Sequence, residues 1–161
     1  MIEFDRRQFE EYARAVFTTD SPSGCTADAI ALIKGYVEEL GYTTHVHNKG
    51  TLEVDVPGLD ESKTVATSAH VDTLGMMVRS VKSGGTLALT KVGGPICPTL
   101  DGEYCTVLTR EGRRYSGTIL SLAPAVHVYP DAATMTRDAD HLEVRLDEEV
   151  KSAEDVKALG I

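Results

Sequence analysis

Apolar residues near the start of the chain recur at the spacing of a helix, with polar residues between them. A first set predicts a helix over about residues 5–18, with Asp5 and Gln8 as its capping pair. A second set predicts a helix that begins near Thr26 and is stopped by Gly41. The two sets are Phe9, Tyr12, Ala13 and Val16, followed by Ala29, Ile30, Ile33, Tyr36, Val37 and Leu40. The chain therefore opens with two amphipathic helices.

The pattern then changes to short β-type segments separated by turn residues. Residues 42–46, 51–56 and 63–69 predict three strands. Within the third segment, residues 64–69 are small, partly β-branched and uncharged, and the turn residue Gly75 follows soon afterwards. This composition predicts a buried strand whose end delivers side chains to the edge of a cleft, where ligands bind in open α/β sheets.

After Gly75 the helical pattern vanishes until the last residues of the chain. Five β-type segments follow, with glycine-containing turns between them, at residues 76–81, 86–91, 104–109, 114–120 and 141–146. Ser152 and Asp155 then form a capping box that begins a brief helix. The predicted fold class is α/β, with a boundary near residue 74 and a small β-barrel or sandwich after it.

His70 and Asp72 follow the third predicted strand and carry the clearest candidate chemistry. Residues two apart on a strand point to the same side, so the imidazole and the carboxylate would share one face. A neutral imidazole nitrogen ligates divalent ions, and an acidic neighbour either bridges two ions or holds the ring by a hydrogen bond. A solvent-facing strand end is the alternative, because the spacing H-x-D is common by chance.

Other polar residues fit structural roles better than chemical ones. His45 and His47 share a predicted strand face, but we expect no acidic or cysteine partner at ligand spacing, which favours an exposed face. Glu148 and Glu149 stand between a predicted strand and a helix cap, where a solvated acidic turn is ordinary. For His127 we expect packing or a loop hydrogen bond rather than catalysis.

Serine chemistry and a role for the paired glycines in binding are also disfavoured. Ser68 and Ser121 lack the G-x-S-x-G setting of a nucleophilic serine. Gly93 and Gly94 most simply supply backbone conformations with positive φ in a turn.

Composition narrows the class of protein. The 161 residues are 42% hydrophobic and 25% charged, as in ordinary globular domains. A formal charge of −9 argues against nucleic acid as a partner. No apolar run approaches the ~20 residues that span a bilayer, and the first seven residues lack the apolar stretch of a signal peptide. Three cysteines without C-x-x-C spacing indicate reduced thiols and a cytoplasmic location.

The segment from Ala69 to Val78 resembles the H-x-D-x-x-G segment of the TET and glutamyl-aminopeptidase family of dinuclear-metal aminopeptidases. Further segments resemble that family in the same order along the chain, so the similarity is more specific than any one motif. They are Ser21-Pro22-Ser23-Gly24, Asn48-Lys49-Gly50-Thr51-Leu52, Val92-Gly93-Gly94, Ser121-Leu122-Ala123-Pro124-Ala125-Val126-His127 and the closing residues 152–161. The family also bears a cellulase label, which the absence of Trp and an aromatic content of 6% count against.

One residue departs from that family. Thr73 stands where the family commonly has an acidic residue, and His-x-Asp-Thr resembles instead the carboxypeptidase G2-like dizinc peptidases. Those peptidases usually have proline where this chain has Gly75, and the β-rich sequence that follows also favours the TET-like resemblance.

The resemblance implies a partial α/β metallopeptidase catalytic layer in residues 1–74, followed by an inserted small β-barrel-like domain in residues 75–161 that is incomplete. His70 would ligate one of two divalent ions, zinc or cobalt, and Asp72 would orient its ring. The remaining ligands and the general base would lie downstream, so we expect this chain to be an inactive N-terminal portion that does not stably hold metal. Glu148–Glu149 resembles the family's catalytic glutamate pair, but in the wrong context.

The expected partners are a peptide substrate and further copies of the chain, which would pair through the β-rich domain. Neither nucleic acid nor a membrane is expected. The alternative from another class is a non-catalytic assembly or interaction module, built from the partial catalytic layer and the β-rich domain.

Overall fold

The computed structural model describes residues 4–60 and 62–161. Residue 61 and residues 1–3, which belong to the segment predicted to lack the apolar stretch of a signal peptide, lie outside this description. The chain divides into two compact units, Met1–Leu74 and Gly75–Ile161.

Two helices open the first unit, as the apolar spacing predicts. Helix α1 spans Arg6–Phe17, and the side chain of its N-cap Asp5 accepts a hydrogen bond of 3.0 Å from the backbone nitrogen of Gln8. Helix α2 spans Ala27–Glu39. The rings of Tyr12 and Tyr36 stack between the two helices with their centroids 4.2 Å apart. Apolar periodicity and capping chemistry therefore locate both helices to within about two residues.

A β-hairpin follows the helices. Strands β1 (Thr43–Val46) and β2 (Leu52–Asp55) pair antiparallel, and His45 lies opposite Glu53. The turn between them contains Gly50 at a φ of 86°, which a side chain would disfavour. Two of the three strands predicted in this unit are confirmed.

The third predicted strand is wrong. Residues 63–69 form no strand, and residues 62–70 are exposed, Val65 to 90%. The expectation of a buried strand rested on small and β-branched side chains, which show that a segment can pair. Pairing also needs a neighbouring strand, and none among the described residues bonds to this segment.

The second unit is built on an antiparallel sheet of five strands in the order β3-β4-β7-β6-β5. Its strands are β3 (Gly75–Val81), β4 (Leu87–Val92), β5 (Tyr104–Leu108), β6 (Arg114–Ser121) and β7 (Leu142–Leu146). Each of the five β-type segments predicted after Gly75 is confirmed. The register of β3 against β4 shifts between Val78 and Ser80, a bulge on an edge strand.

One hydrophobic core holds the second unit together. Leu87, Leu142 and Val156 are fully buried, and Val156 belongs to helix α3 (Ala153–Ala158), which Ser152 caps as predicted. Fully burying a side chain of this kind contributes about 1.5–3 kcal/mol. The sequence did not predict the short 3-10 helix Cys97–Thr99, which places Cys97 in the same core.

The fold is thus a mixed arrangement of helices and strands. Cys25, Cys97 and Cys105 are free thiols, as expected. Among residues 4–60 and 62–161, no helix is both long enough and apolar enough to cross a membrane.

Candidate functional site

The candidate site begins with a loop that is fastened to the segment carrying His70 and Asp72. Pro22 and Thr73 form a parallel β-bridge. The backbone nitrogen of Thr73 donates to the carbonyl of Ser21 at 2.7 Å, and the backbone nitrogen of Ser23 donates to the carbonyl of Thr73 at 3.3 Å. Ser21 is 2% exposed. Backbone bonds therefore bring the loop after helix α1 beside Asp72.

Three side chains form a line at this point. The Ser23 hydroxyl donates to Oδ2 of Asp72 at 2.5 Å, and the other oxygen, Oδ1, lies 3.1 Å from Nδ1 of His70. Nδ1 also lies 3.0 Å from the backbone carbonyl oxygen of Asp72. The structure thus brings together the two residues that the sequence singled out, although they do not belong to a strand.

The surroundings of His70 select one form of its ring. Both neighbours of Nδ1 are oxygen atoms that only accept hydrogen bonds, so Nδ1 carries the proton in the neutral ring. Nε2 then keeps its lone pair, and the His70 side chain is 85% exposed. This is the tautomer that a metal ligand needs, because the ion takes one nitrogen and a carboxylate or carbonyl holds the other.

Asp72 is held in its charged form. The hydrogen bond from Ser23 lowers the pKa of the Asp72 carboxyl, the contact with His70 lowers it further, and partial burial opposes both. A carboxylate is the better acceptor for the Nδ1 proton, so this electrostatic setting favours the same His70 tautomer.

A groove of about 530 Å³ runs past these residues within the first unit. Ser23, His70 and Asp72 contribute polar groups to it, and Ile30 of α2 and Leu52 of β2 contribute apolar surface. Such a mixture of apolar wall and a few convergent polar groups is typical of small-ligand sites.

The residues present suit one metal ligand and its orienting carboxylate. Among residues 4–60 and 62–161, no three His, Cys, Asp or Glu side chains converge as a metal-binding group. Zinc sites in proteins use three or four protein ligands. The donor chemistry of His70 therefore fits a divalent ion, although no further ligands converge on it among the described residues.

His45 lies on β1, and His47 directly follows the last residue of that strand. Their ring centroids are 4.5 Å apart, and Nε2 of His47 lies 2.7 Å from Oε2 of Glu53. The expectation that no acidic partner lies nearby is wrong, because the hairpin places Glu53 directly across from this face. Both histidines are exposed, as predicted, although the strand ends at Val46, before His47.

The other polar residues have surroundings that suit structural roles. Glu149 is 90% exposed and 3.7 Å from the Lys151 amine, consistent with a solvated acidic turn. The Ser121 hydroxyl accepts a bond from the backbone nitrogen of Ala123 at 3.2 Å and is buried. Ser68 and His127 are exposed. Of the paired glycines, Gly93 has a positive φ of 73°.

Sequence reasoning did not assign Ser23 to the site. Its loop was noticed as a matching segment, but a serine 49 positions from Asp72 has no pattern that links it to a carboxylate. The turn residues of Ser21-Pro22-Ser23-Gly24 indicated a loop before the second helix, but nothing in them pointed to Asp72.

Comparison with known sequences assigns the chain to a family. The sequence profile of the family described as M42 glutamyl aminopeptidase matches residues 50–161. YhfE of Bacillus subtilis (strain 168), provisionally named as an aminopeptidase, is 38% identical over 155 residues, which are 96% of this chain and 45% of that protein. The glutamyl aminopeptidase of Lactococcus lactis subsp. cremoris (strain MG1363) is 26% identical over 102 residues, 63% of this chain and 29% of that protein.

Solved structures share the fold. The TET aminopeptidase of the marine sediment archaeon Thaumarchaeota archaeon SCGC AB-539-E09 superposes with a TM-score of 0.84 at 23% identity, covering 96% of this chain and 42% of that one. The Pyrococcus horikoshii TET1 peptidase, described as assembling into a tetrahedron or a large octahedral shell, gives 0.70 at 20% identity, covering 92% and 43%. A Thermotoga maritima structure described as an endoglucanase gives 0.70 at 22%, covering 89% and 40%, matching the family's cellulase label.

The chain is shorter than the relatives that it matches. The chain spans 45% of the Bacillus relative and 42% of the Thaumarchaeota structure. A profile that matches most of the chain and a relative at 38% identity across nearly all of it nevertheless agree with the resemblance in the motifs. The chain belongs to the M42 glutamyl aminopeptidase family.

Proposed function

We propose that a longer protein containing this chain is a dinuclear-metal aminopeptidase, which removes N-terminal residues from peptides. One observation in particular supports this function. His70 has its Nδ1 hydrogen bonded to Asp72 and its Nε2 free beside a groove, as a metal-ligating imidazole requires.

The roles of the two residues differ. Nε2 of His70 would ligate one of two divalent ions, zinc or cobalt, and Asp72 would hold the ring in the required orientation and tautomer. When bound, a pair of ions supplies Lewis-acid polarisation and a nucleophile generated near neutral pH. The groove beside His70 would receive the end of the peptide, and its apolar wall would exclude part of the water.

The two units would belong to different domains of the longer protein. The first would be the N-terminal part of the catalytic domain, and the second a β-rich, barrel-like inserted domain. Large apolar side chains of the first unit support this division, because Phe17 is 86% exposed and Val65 is 90% exposed. Where exposed apolar side chains form a contiguous patch, that patch ordinarily contacts other protein. The second unit, in contrast, has a core of its own.

The 161-residue chain alone is then expected to be inactive and to bind zinc or cobalt weakly. His70 is the single ligand that the resemblance transfers to it, and hydrolytic zinc sites hold the ion with three protein ligands. The chain's own partners would be a peptide and further copies of itself, in line with the assemblies described for the Pyrococcus horikoshii structure.

The carboxypeptidase G2-like alternative is not supported. It would require the inserted domain to carry two helices on one sheet. In residues 75–161 the structure has one α-helix, of six residues, beside the five-stranded sheet.

The test replaces His70, the proposed metal-ligating residue, in the longer protein. We expect His70→Ala to lower bound zinc or cobalt, measured by elemental analysis, and to abolish hydrolysis of an aminoacyl-nitroanilide. His127→Ala is the matched control, because His127 is exposed and lies outside the groove. Full activity and metal content in His70→Ala would contradict the proposal and favour the non-catalytic module. Chelator-sensitive hydrolysis by the 161-residue chain would show that its ligands lie elsewhere.

A further inference from the structure

We propose that Ser23 is a positioning residue that sets the orientation of the Asp72 carboxylate and, through it, the tautomer of His70. This inference rests on the proposed function, in which His70 is a metal ligand. It concerns the geometry of the ring before any ion binds, and it can therefore be tested in this chain.

Both carboxylate oxygens of Asp72 make a contact. Ser23 donates to Oδ2, and Oδ1 faces the ring of His70. The Asp72 side chain is 43% exposed, so little packing restrains rotation about its terminal bond. The Ser23 hydroxyl supplies the restraint that packing does not, because rotation of the carboxylate would break its hydrogen bond.

The main chain delivers Ser23 to this place without help from its hydroxyl. The bonds between Thr73 and the backbone of Ser21 and Ser23 fasten the loop to the segment that carries Asp72. Removing the hydroxyl should therefore leave the loop in position, and its effect on the ring can be separated from an effect on folding.

The His70 ring reports the change. With the Asp72 carboxylate in place, Nδ1 donates to Oδ1 and to the Asp72 carbonyl oxygen. Without Ser23 the carboxylate rotates away part of the time and only the carbonyl contact at 3.0 Å persists. The proton then spends more time on Nε2, the nitrogen that must be bare to bind an ion.

The experiment is ¹⁵N NMR of the histidine rings in the 161-residue chain, at a pH where the ring of His70 is neutral. The native chain should show His70 mainly protonated at Nδ1. In Ser23→Ala the ratio of the Nε2–H to the Nδ1–H form should rise at least about threefold, the size expected for one modest hydrogen bond. Ser23→Thr keeps a hydroxyl and should restore the native ratio, whereas Asp72→Asn should shift it at least as far as Ser23→Ala.

Ser116→Ala is the matched control, because Ser116 donates a similar bond, 2.6 Å long, to Oδ2 of Asp147 in the second unit. It should leave the His70 signals unchanged, and circular dichroism checks that every variant is folded. An unchanged tautomer ratio in folded Ser23→Ala, or a shift that Ser23→Thr does not reverse, would overturn the positioning role. Those results are independent of the metal content of His70→Ala in the longer protein, so the two proposals fail separately.

Discussion

At the scale of single residues, the site depends on which atom of each side chain is already engaged. The only sequence motif around His70 is the common spacing H-x-D. Its Nδ1 is nevertheless hydrogen bonded to Asp72, which leaves Nε2 free. The carboxylate of Asp72 is in turn bonded by Ser23. The chain thus prepares one ligand nitrogen through two successive contacts, and each contact can be removed by itself.

Asp72→Asn in the longer protein should weaken metal binding and activity by ~10–100-fold, the usual effect of losing a group that orients a metal-bound histidine. The amide keeps the shape of the carboxylate but loses its charge, so it accepts the Nδ1 proton less well. Metal affinity and nitroanilide hydrolysis measure the loss. Asp60→Asn is the control, because Asp60 also accepts a serine hydroxyl, that of Ser62 at 2.6 Å. Equal metal affinity and activity in the two variants would show that Asp72 does not orient His70.

The sequence could predict this pair of residues, but not the third. His70 and Asp72 are two positions apart, so local geometry alone brings them together, even though the strand assumed for them does not form. Ser23 reaches Asp72 across 49 positions through a loop contact. Contacts of that kind depend on the path of the chain, which hydrophobic periodicity does not report.

At the scale of elements, the sequence predicted correctly those features that depend on residues within one segment, such as the start of a helix. Helix α1 begins at the cap that Asp5 and Gln8 predict, and helix α3 begins at Ser152. The failure at residues 63–69 has a different cause, since a strand is completed by its neighbours. The mixed helix and strand fold could be predicted, whereas the burial of that segment could not.

Helix α3 should make the chain's stability depend on pH in acid. Its Asp155 carboxylate accepts the backbone nitrogen of Lys151 at 2.9 Å, and this bond, together with contacts to Ser152, lowers the pKa of Asp155. A lowered folded pKa contributes stability above the unfolded value, ~4, and that contribution is lost as the pH falls through the folded value.

Asp155→Asn should therefore unfold at lower urea than the native chain at pH 7, and the two midpoints should converge as the pH falls towards about 2. Urea titrations at several pH values, followed by circular dichroism, measure this. Glu154→Gln is the control, since it removes one charge from the same first turn of α3 without removing the bond from Lys151. A constant gap between Asp155→Asn and the native chain across this pH range would rule out the carboxylate as its source.

The pairing of β6 with β7 leaves no room for a side chain at Gly117. A Cβ there would lie 2.8 Å from the carbonyl oxygen of Arg145 and 2.8 Å from Cγ1 of Val144. Gly117→Ala should lower the free energy of unfolding by about 1–3 kcal/mol, because backbone atoms cannot move aside cheaply.

Gly94→Ala is the matched control, because a Cβ at that position would meet no atom within 4 Å. It should change the free energy of unfolding by less than about 1 kcal/mol, in the stabilising direction. Urea denaturation measures both variants. If Gly117→Ala were as stable as Gly94→Ala, β6 and β7 would not approach each other closely enough at Gly117 to exclude a side chain.

At the scale of the whole molecule, the two units differ in how much of their apolar surface they cover. The second unit buries a continuous core between its sheet and helix α3. In the first unit, Ala29 is the one hydrophobic residue among the described ones that is fully buried, while Phe9 and Phe17 are exposed. The residue pattern predicted amphipathic helices correctly, but not how much of their apolar faces this chain would cover.

Exposed apolar faces and open strand edges should make the isolated chain associate. Strands β3 and β5 each pair on one side among the described residues, and unpaired edges invite another copy. We therefore predict a dimer or larger oligomer, with contacts between about residues 76 and 146. Chromatography with light scattering measures the mass against the 17.4 kDa of one chain.

A lysine on the edge tests where the contact lies. Met77 is on β3 and 58% exposed, so Met77→Lys should shift the mass towards the monomer, because a charge on an edge strand opposes pairing. Ile96→Lys is the matched control, since Ile96 is 67% exposed and precedes the short 3-10 helix, outside any strand. A native chain that stays monomeric at high concentration would contradict the prediction of association. Equal association of both variants would place the contact away from β3, since only one of them alters that edge.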